Sequence, residues 1–265
     1  QGITRIVEDS SGNGGASLAA YAAAAGMDAL ILVPAGTSTT KVLQAQVHGA
    51  QVERIDGTRE DVAYAVGLHL GDRFYAGHNW HPFFIEGTKL LAYEIWEDLG
   101  FTAPDSVVVP AGAGSLVLGL ARGFEELRRA GQAVAVPRIL VAQPENCSPL
   151  ARAFAGVREE VSPAPTLAEG AAIARPVRGV EVLDAVRNSG GTVVAIPEGD
   201  IMPAVRRCAE RGLYVEPTSA LVVAALRPLR DGGHLRDGDV VVVVLTGFGA
   251  KASRSAHHAL PRLLV

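Results

Sequence analysis

Two rhythms of apolar and polar positions alternate along the chain. Short β-branched runs at Ile3–Val7, Leu30–Val33, Val52–Ile55, Val107–Val109, Ile139–Ala142, Val193–Ile196 and Val240–Leu245 predict strands. Phe74–Ala76 and Tyr214–Val215 predict two shorter ones. Between them the spacing predicts helices over Gly14–Ala25, Thr40–Val47, Arg59–Leu70, Glu86–Leu99, Gly114–Arg129, Ser148–Ala155, Val180–Arg187, Pro203–Arg211 and Ser219–Leu226. The stretch Gly156–Pro165 carries neither rhythm. Strands alternating with amphipathic helices imply parallel sheets built from βαβ crossovers. The rhythm pauses at His78–Phe84, among aromatic, His and Pro residues, which marks a candidate boundary.

In such sheets ligands bind at the carboxyl ends of strands, where loops lead into helix N-termini. The unpaired N–H groups and the helix dipole favour an anion there. Three loops fit that position. Asp9-Ser10-Ser11-Gly12-Asn13-Gly14-Gly15 brings hydroxyls, an amide and free N–H groups to a helix start. It suits a carboxylate or a phosphate, or is an ordinary N-cap. Pro110-Ala111-Gly112-Ala113-Gly114-Ser115-Leu116 is small at every position that would face an anion. Its spacing is not G-x-G-x-x-G, the next strand ends at Gln143 rather than an acid, and no G-K-[ST] follows. It is therefore a phosphate loop without dinucleotide character, or a tight βα turn. Leu245-Thr246-Gly247-Phe248-Gly249 ends the most buried-looking strand, and its hydroxyl can meet a heteroaromatic nitrogen or merely mark a Gly-rich exit. His78, Trp80 and His81 line a pocket or pack an interface, and Glu216 sits against a ring or caps the next helix.

Composition narrows the chemistry. The 265 residues include 30 glycines, about 11% against a usual ~7%, clustered where strands end. The net charge of −4 gives no basic footprint, so no nucleic-acid partner is expected. No apolar run approaches the roughly 18–20 residues of a membrane span. Two cysteines exclude a disulfide scaffold and fit a reducing cytoplasm. The histidines show no H-E-x-x-H spacing, so no metal site is expected. There is no G-x-S-x-G elbow of a serine hydrolase.

Together these loops resemble the fold-type II pyridoxal-phosphate (PLP) enzymes, the tryptophan synthase β family, and within it the threonine synthases. The likeness rests on Glu8–Ala23 with its asparagine loop, Val33–Ser38 through Lys41 and His48–Gln51, and Pro82–Lys89 with its E-G-x-K. Ala168–Gly170, Glu216–Ala220 and Leu245–Gly249 complete it, in the family's order. The resemblance implies two three-layer α/β domains, each with a central, mostly parallel sheet and a cofactor cleft between them. Residues 1–83 would be part of the smaller domain and 84–265 the larger. It implies that Asn13 contacts the cofactor ring hydroxyl and that Ser10, Ser11, Gly12 and Gly14 receive a substrate carboxylate. Ala111, Gly112, Ala113, Gly114 and Ser115 would hold the cofactor phosphate, with Thr246 facing the pyridine nitrogen. A neutral hydroxyl there tempers the electron sink, which suits elimination and replacement at β and γ carbons. Two departures stand out: His81 replaces the usual Asn before Pro82, and Ala111 and Ala113 replace glycines.

The chain has three lysines, Lys41, Lys89 and Lys251. In the family the Schiff-base lysine precedes the asparagine loop, where this chain has none. Lys41 and Lys89 match other family positions, and Lys251, which follows the Thr246 loop, is not expected to take the nucleophile's place. The first residue is Gln1, and the expectation is a family member lacking its N-terminal portion and its nucleophile. The activity implied is conversion of O-phosphohomoserine and water to threonine and phosphate by a cytoplasmic homodimer acting on a small amino-acid substrate. The alternatives are a threonine or serine dehydratase and a non-catalytic protein that binds PLP or an amino acid.

Overall fold

The computed structural model describes residues 2–10, 12–37, 39–57, 59–157 and 164–251. The side chains of Thr40, Lys41, Glu60 and Lys251 lie outside the described set. The chain divides into two compact units, Gln1–His81 and Pro82–Val265.

The first unit holds β1 (Arg5–Glu8), α1 (Asn13–Ala24), β2 (Asp28–Pro34), α2 (Thr39–Val47), β3 (Gln51–Ile55), α3 (Arg59–His69) and β4 (Phe74–Tyr75). Its strands are all parallel, in the order β3-β2-β1-β4. Successive side chains of a strand point to opposite faces, and the core follows that period of two. Ile6, Ile31 and Val33 pack on one face with Ala19 and Ala22 of α1. Val7, Leu30 and Leu32 pack on the other with Val62 and Val66 of α3. The alanines of α1 let that helix approach the sheet closely.

The second unit runs α4 (Pro82–Thr88), α5 (Leu90–Asp98), β5 (Ser106–Pro110), α6 (Ser115–Arg129), β6 (Arg138–Pro144), α7 (Pro149–Phe154), α8 (Gly179–Asn188), β7 (Thr192–Ile196), α9 (Glu198–Ala209), α10 (Pro217–Asp231) and β8 (Val241–Val243). Short 3₁₀ turns lie at Glu145–Cys147, Glu169–Ala171 and Gly249–Lys251. Its sheet is also parallel, in the order β7-β6-β5-β8. Val107, Val109, Ile139 and Val141 face α6 and α8, where Val117, Leu120, Phe124 and Leu127 recur at helical spacing. Val108, Leu140 and Ala142 face α9 and α10. Burial on both faces is why β5 and β6 read as unbroken apolar runs. Each fully buried Leu or Phe here contributes roughly 1.5–3 kcal/mol.

Four expectations are corrected. The helix foreseen over Glu86–Leu99 is two helices that meet at Lys89. The first begins at Pro82, whose fixed φ suits a helix start. The helix expected from Pro203 already starts at Glu198 and keeps Pro203 inside. Burial of Ile201, Met202, Val205 and Cys208 outweighs the one backbone bond that proline loses. Tyr214–Val215 forms no strand, only an antiparallel bridge between Val215 and Phe248. The run Val240–Leu245, expected to be the most buried strand, is the half-buried edge strand β8, because among the described residues only β5 pairs with it.

Candidate active site loops

In the first unit, β1 ends at Glu8 and the chain turns through Asp9 and Ser10 into α1. Gly12 is the N-cap of α1 and makes no side-chain capping bond. Asn13 is therefore the first helical residue, and it is exposed. Ser11 lies outside the described residues. The loop folds tightly over the helix start: a Cβ on Gly15 would lie 2.1 Å from the Ser10 carbonyl oxygen. A Cβ on Gly14 would lie 3.0 Å from Ser10 Oγ, so Gly14 faces the Ser10 hydroxyl across bare backbone. Ser10, Gly12, Asn13 and Gly14 thus share one helix N-terminus, which favours a small anion.

In the second unit, Ala111–Ser115 joins β5, the interior strand that is buried throughout, to α6. Gly114 is the N-cap of α6 with φ +87°, a left-handed conformation that glycine adopts without strain. A side chain there would strike Val182 at 2.4 Å. A Cβ on Gly112 would lie 2.8 Å from the Gly170 carbonyl oxygen and 3.2 Å from Ala171 Cα, so this position is closed by backbone. The alanines at 111 and 113 bring no such obstruction; Ala111 is 2% exposed and its N–H donates to the Ala142 carbonyl at 3.0 Å. Gln143, fully buried, holds the loop from below. Its Nε2 donates to the Ala111 carbonyl at 3.1 Å, while its Oε1 accepts from the N–H groups of Leu150 and Ala151 at 2.9 and 3.1 Å.

The remaining motifs converge on the same end of this sheet. Gly170 donates its N–H to Thr218 Oγ1 at 3.0 Å, which ties the 3₁₀ turn beneath Gly112 to α10. Thr246, exposed at the exit of β8, donates its N–H to Ser219 Oγ at 2.7 Å. Glu216 is the N-cap of α10 but makes no side-chain capping bond. Its N–H donates to the Gly247 carbonyl at 3.0 Å, and its carboxylate lies across Gly247, where a Cβ would meet Oε1 at 2.1 Å. Ala111–Ser115, Glu169–Ala171, Glu216–Ser219 and Thr246–Gly247 are linked through these contacts.

The E-G-x-K segment serves this loop structurally. Thr88 Oγ1 donates to the Ser115 carbonyl at 3.3 Å, and Gly119 of α6 lies against Thr88, where a Cβ would come within 2.4 Å of its hydroxyl. Lys89 Nζ bonds Glu86 at 2.6 Å and Glu126 at 2.8 Å. Glu126 also accepts from Tyr93 and from Arg122 Nε at 3.2 Å. These hydrogen bonds hold the Lys89 ammonium well above the usual lysine range and bring Glu126 down to about 2. A lysine so protonated is no nucleophile. The side chains of Lys41 and Lys251 fall outside the described residues.

Several of these supports are not legible in the sequence. Buried Glu8 pairs with the partly buried His78. Gln143 stands out in the sequence only as a non-acid, and nothing there marks Ser219 Oγ or Thr218 Oγ1 for hydrogen bonding. The available signal is a polar residue closing a buried strand, as at Glu8 and Gln143. Among the described residues no cluster of His, Cys, Asp or Glu is arranged to hold a metal ion. Among them, too, no helix is long and apolar enough to cross a membrane.

The family of pyridoxal-phosphate dependent enzymes matches residues 1–247. The chain belongs to this family. A threonine synthase of Methanosarcina acetivorans is 33% identical over 252 residues, covering 93% of this chain and 62% of that protein. One of Methanocaldococcus jannaschii is 32% identical over 256 residues, covering 94% and 63%. The chain thus spans about three fifths of the length of these curated relatives. Among solved structures, a fungal L-serine ammonia-lyase from Rhizomucor miehei superposes with a TM-score of 0.81 at 20% identity, over 98% of this chain and 82% of that one. That likeness shows the fold. Family membership implies PLP as the cofactor. The geometry suits its phosphate: a glycine cradle closed to side chains at Gly112 and Gly114 opens onto the N–H groups of a 15-residue helix.

Proposed function

We propose that the protein containing this chain is a carbon–oxygen lyase of the threonine synthase type, converting O-phosphohomoserine and water to threonine and phosphate. The observation that carries this reading is the linkage of Ala111–Ser115 to Thr246 through Gly170, Thr218 and Ser219 at one end of a parallel sheet. Sequence similarity to threonine synthases supports the substrate.

PLP, when bound, supplies an electron sink for the bonds of the substrate's α carbon. Ala111, Gly112, Ala113, Gly114 and Ser115 hold its phosphate through backbone N–H groups and the α6 dipole. Thr246 presents a neutral hydroxyl to the pyridine nitrogen, which leaves that nitrogen less readily protonated than a carboxylate would. Asn13 meets the ring hydroxyl, and Ser10, Ser11, Gly12 and Gly14 receive the substrate carboxylate. Residues 1–83 and 84–265 act as the smaller and larger domains, and the protein works as a homodimer.

A dehydratase of threonine or serine is the second reading. It is favoured by a threonine deaminase from T.th., whose structure superposes with a TM-score of 0.74 at 25% identity over 94% of this chain and 77% of that one. The two separate by product: the synthase releases phosphate from O-phosphohomoserine, the dehydratase ammonia from threonine. PLP binding to the 265-residue chain is tested first, by borohydride reduction and peptide mass. An adduct on Lys251 would name the nucleophile. A bound but unreduced cofactor, with neither product released, would mark a chain that binds PLP without turnover.

A further inference from the structure

The geometry points to a positioning pair in the first unit, Glu8 and His78, that shapes the anion-binding loop from beneath. This inference rests on the proposal that Ser10, Gly12 and Gly14 receive a carboxylate. Glu8 is the last residue of β1 and is 1% exposed. A carboxylate that deep needs a partner. It finds one 70 residues away in His78, whose Nδ1 lies 2.6 Å from Glu8 Oε1. The His78 ring in turn backs Gly14: a Cβ on Gly14 would sit 3.5 Å from both His78 Cε1 and Nδ1, and 3.0 Å from Ser10 Oγ. Glu8, the ring, Gly14 and the Ser10 hydroxyl are therefore packed in one line of contact.

A second tie runs beside the first. Asp9 accepts a hydrogen bond from the Tyr75 hydroxyl at 2.5 Å. The Tyr75 ring lies across Gly77, where a Cβ would fall 2.2 Å from its Cζ. Two consecutive acids at the exit of β1 are thus fastened to Tyr75, which ends β4, and to His78 just beyond it. The N-cap, Gly12, has no side chain with which to cap the helix itself. Electrostatics gives the arrangement its purpose. Two carboxylates under an anion site would repel the ligand. The groups that face them are a phenol, which donates to Asp9, and an imidazole, which shares a hydrogen bond with Glu8. Burial also raises the Glu8 pKa, against the opposing effect of His78.

The test uses the 265-residue chain with PLP, and L-threonine as the probe ligand. Isothermal titration gives its Kd, and hydrogen exchange follows the amide of Ala16, which closes the first turn of α1 on the Gly12 carbonyl. His78→Ala and Glu8→Ala are expected to weaken L-threonine at least ten-fold and to speed exchange at that amide. Glu8→Gln, whose amide can bond the His78 ring as donor or acceptor, is expected to restore both to within about three-fold. A merely structural role would leave no such rescue. His78→Phe, which keeps a ring but no hydrogen-bonding group, replaces His78→Ala if the alanine variant fails to fold. Wild-type exchange and affinity in His78→Ala or His78→Phe would overturn the pair. If the wild type does not bind L-threonine, yet exchange at Ala16 still quickens in the His78 variants and recovers in Glu8→Gln, the pair stands and the carboxylate reading falls.

Discussion

Gln143→Met removes a side chain that braces two elements at once. Gln143 is buried without exposure, and methionine has nearly its shape. Its Oε1 takes the N–H groups of Leu150 and Ala151, the second and third residues of α7. Ser148, the N-cap of that helix, makes no side-chain capping bond, so Gln143 caps α7 from the neighbouring strand. Loss of a cap costs roughly 0.5–2 kcal/mol. The variant also strips Nε2 from the Ala111 carbonyl, which costs about 1–3 kcal/mol for a buried acceptor left unpaired. The added apolar surface returns up to about 1 kcal/mol. The expected net loss is about 3 kcal/mol. Urea unfolding followed by Trp96, which packs on the core of the second unit, reads it in a Trp80→Phe background. At a slope of about 2 kcal/mol/M the midpoint falls by roughly 1.5 M. PLP affinity should fall with it, because Ala111 opens the loop proposed to hold the cofactor phosphate. A shift under about 0.5 M would refute the reasoning and show that backbone contacts alone hold the loop.

Gly112→Ala should weaken PLP binding at least ten-fold by equilibrium dialysis, since its Cβ meets backbone, whereas Gly247→Ala should bind normally once the flexible Glu216 carboxylate swings aside. Glu126 and Glu125, both held at about 2 by their cationic partners, stabilise the second unit above pH 4.5, and that contribution fades as pH falls from 4.5 toward 2. Lys89→Met should therefore raise the acid-unfolding midpoint seen by circular dichroism. Glu8 has the opposite sign: its folded pKa is raised by burial, so its contribution is full below about 4.5 and is lost as pH rises through the folded value. Glu8→Gln should flatten the fall in calorimetric Tm above pH 4.5.

The sequence by itself determined the layered parallel architecture, because strands such as Val107–Val109 and Ile139–Ala142 must bury both faces and the intervening helices carry one apolar stripe. It also located the loops, since Gly112 and Gly114 stand where a strand ends and a helix begins. The extent of β8 was decided by tertiary structure, for a run of valines specifies a strand but not its neighbours, and at the sheet edge Val241–Val243 stays half-buried. The break at Lys89 and the long helix across Pro203 were likewise settled by packing, which outweighs local preference. Above all, the supports of the loops join residues far apart in the chain. Glu8 with His78, Gln143 with Ala111, and Ser219 with Thr246 are matched only once the strands are paired, because a hydrogen bond needs its two atoms within about 3 Å and the linear sequence carries no such distance.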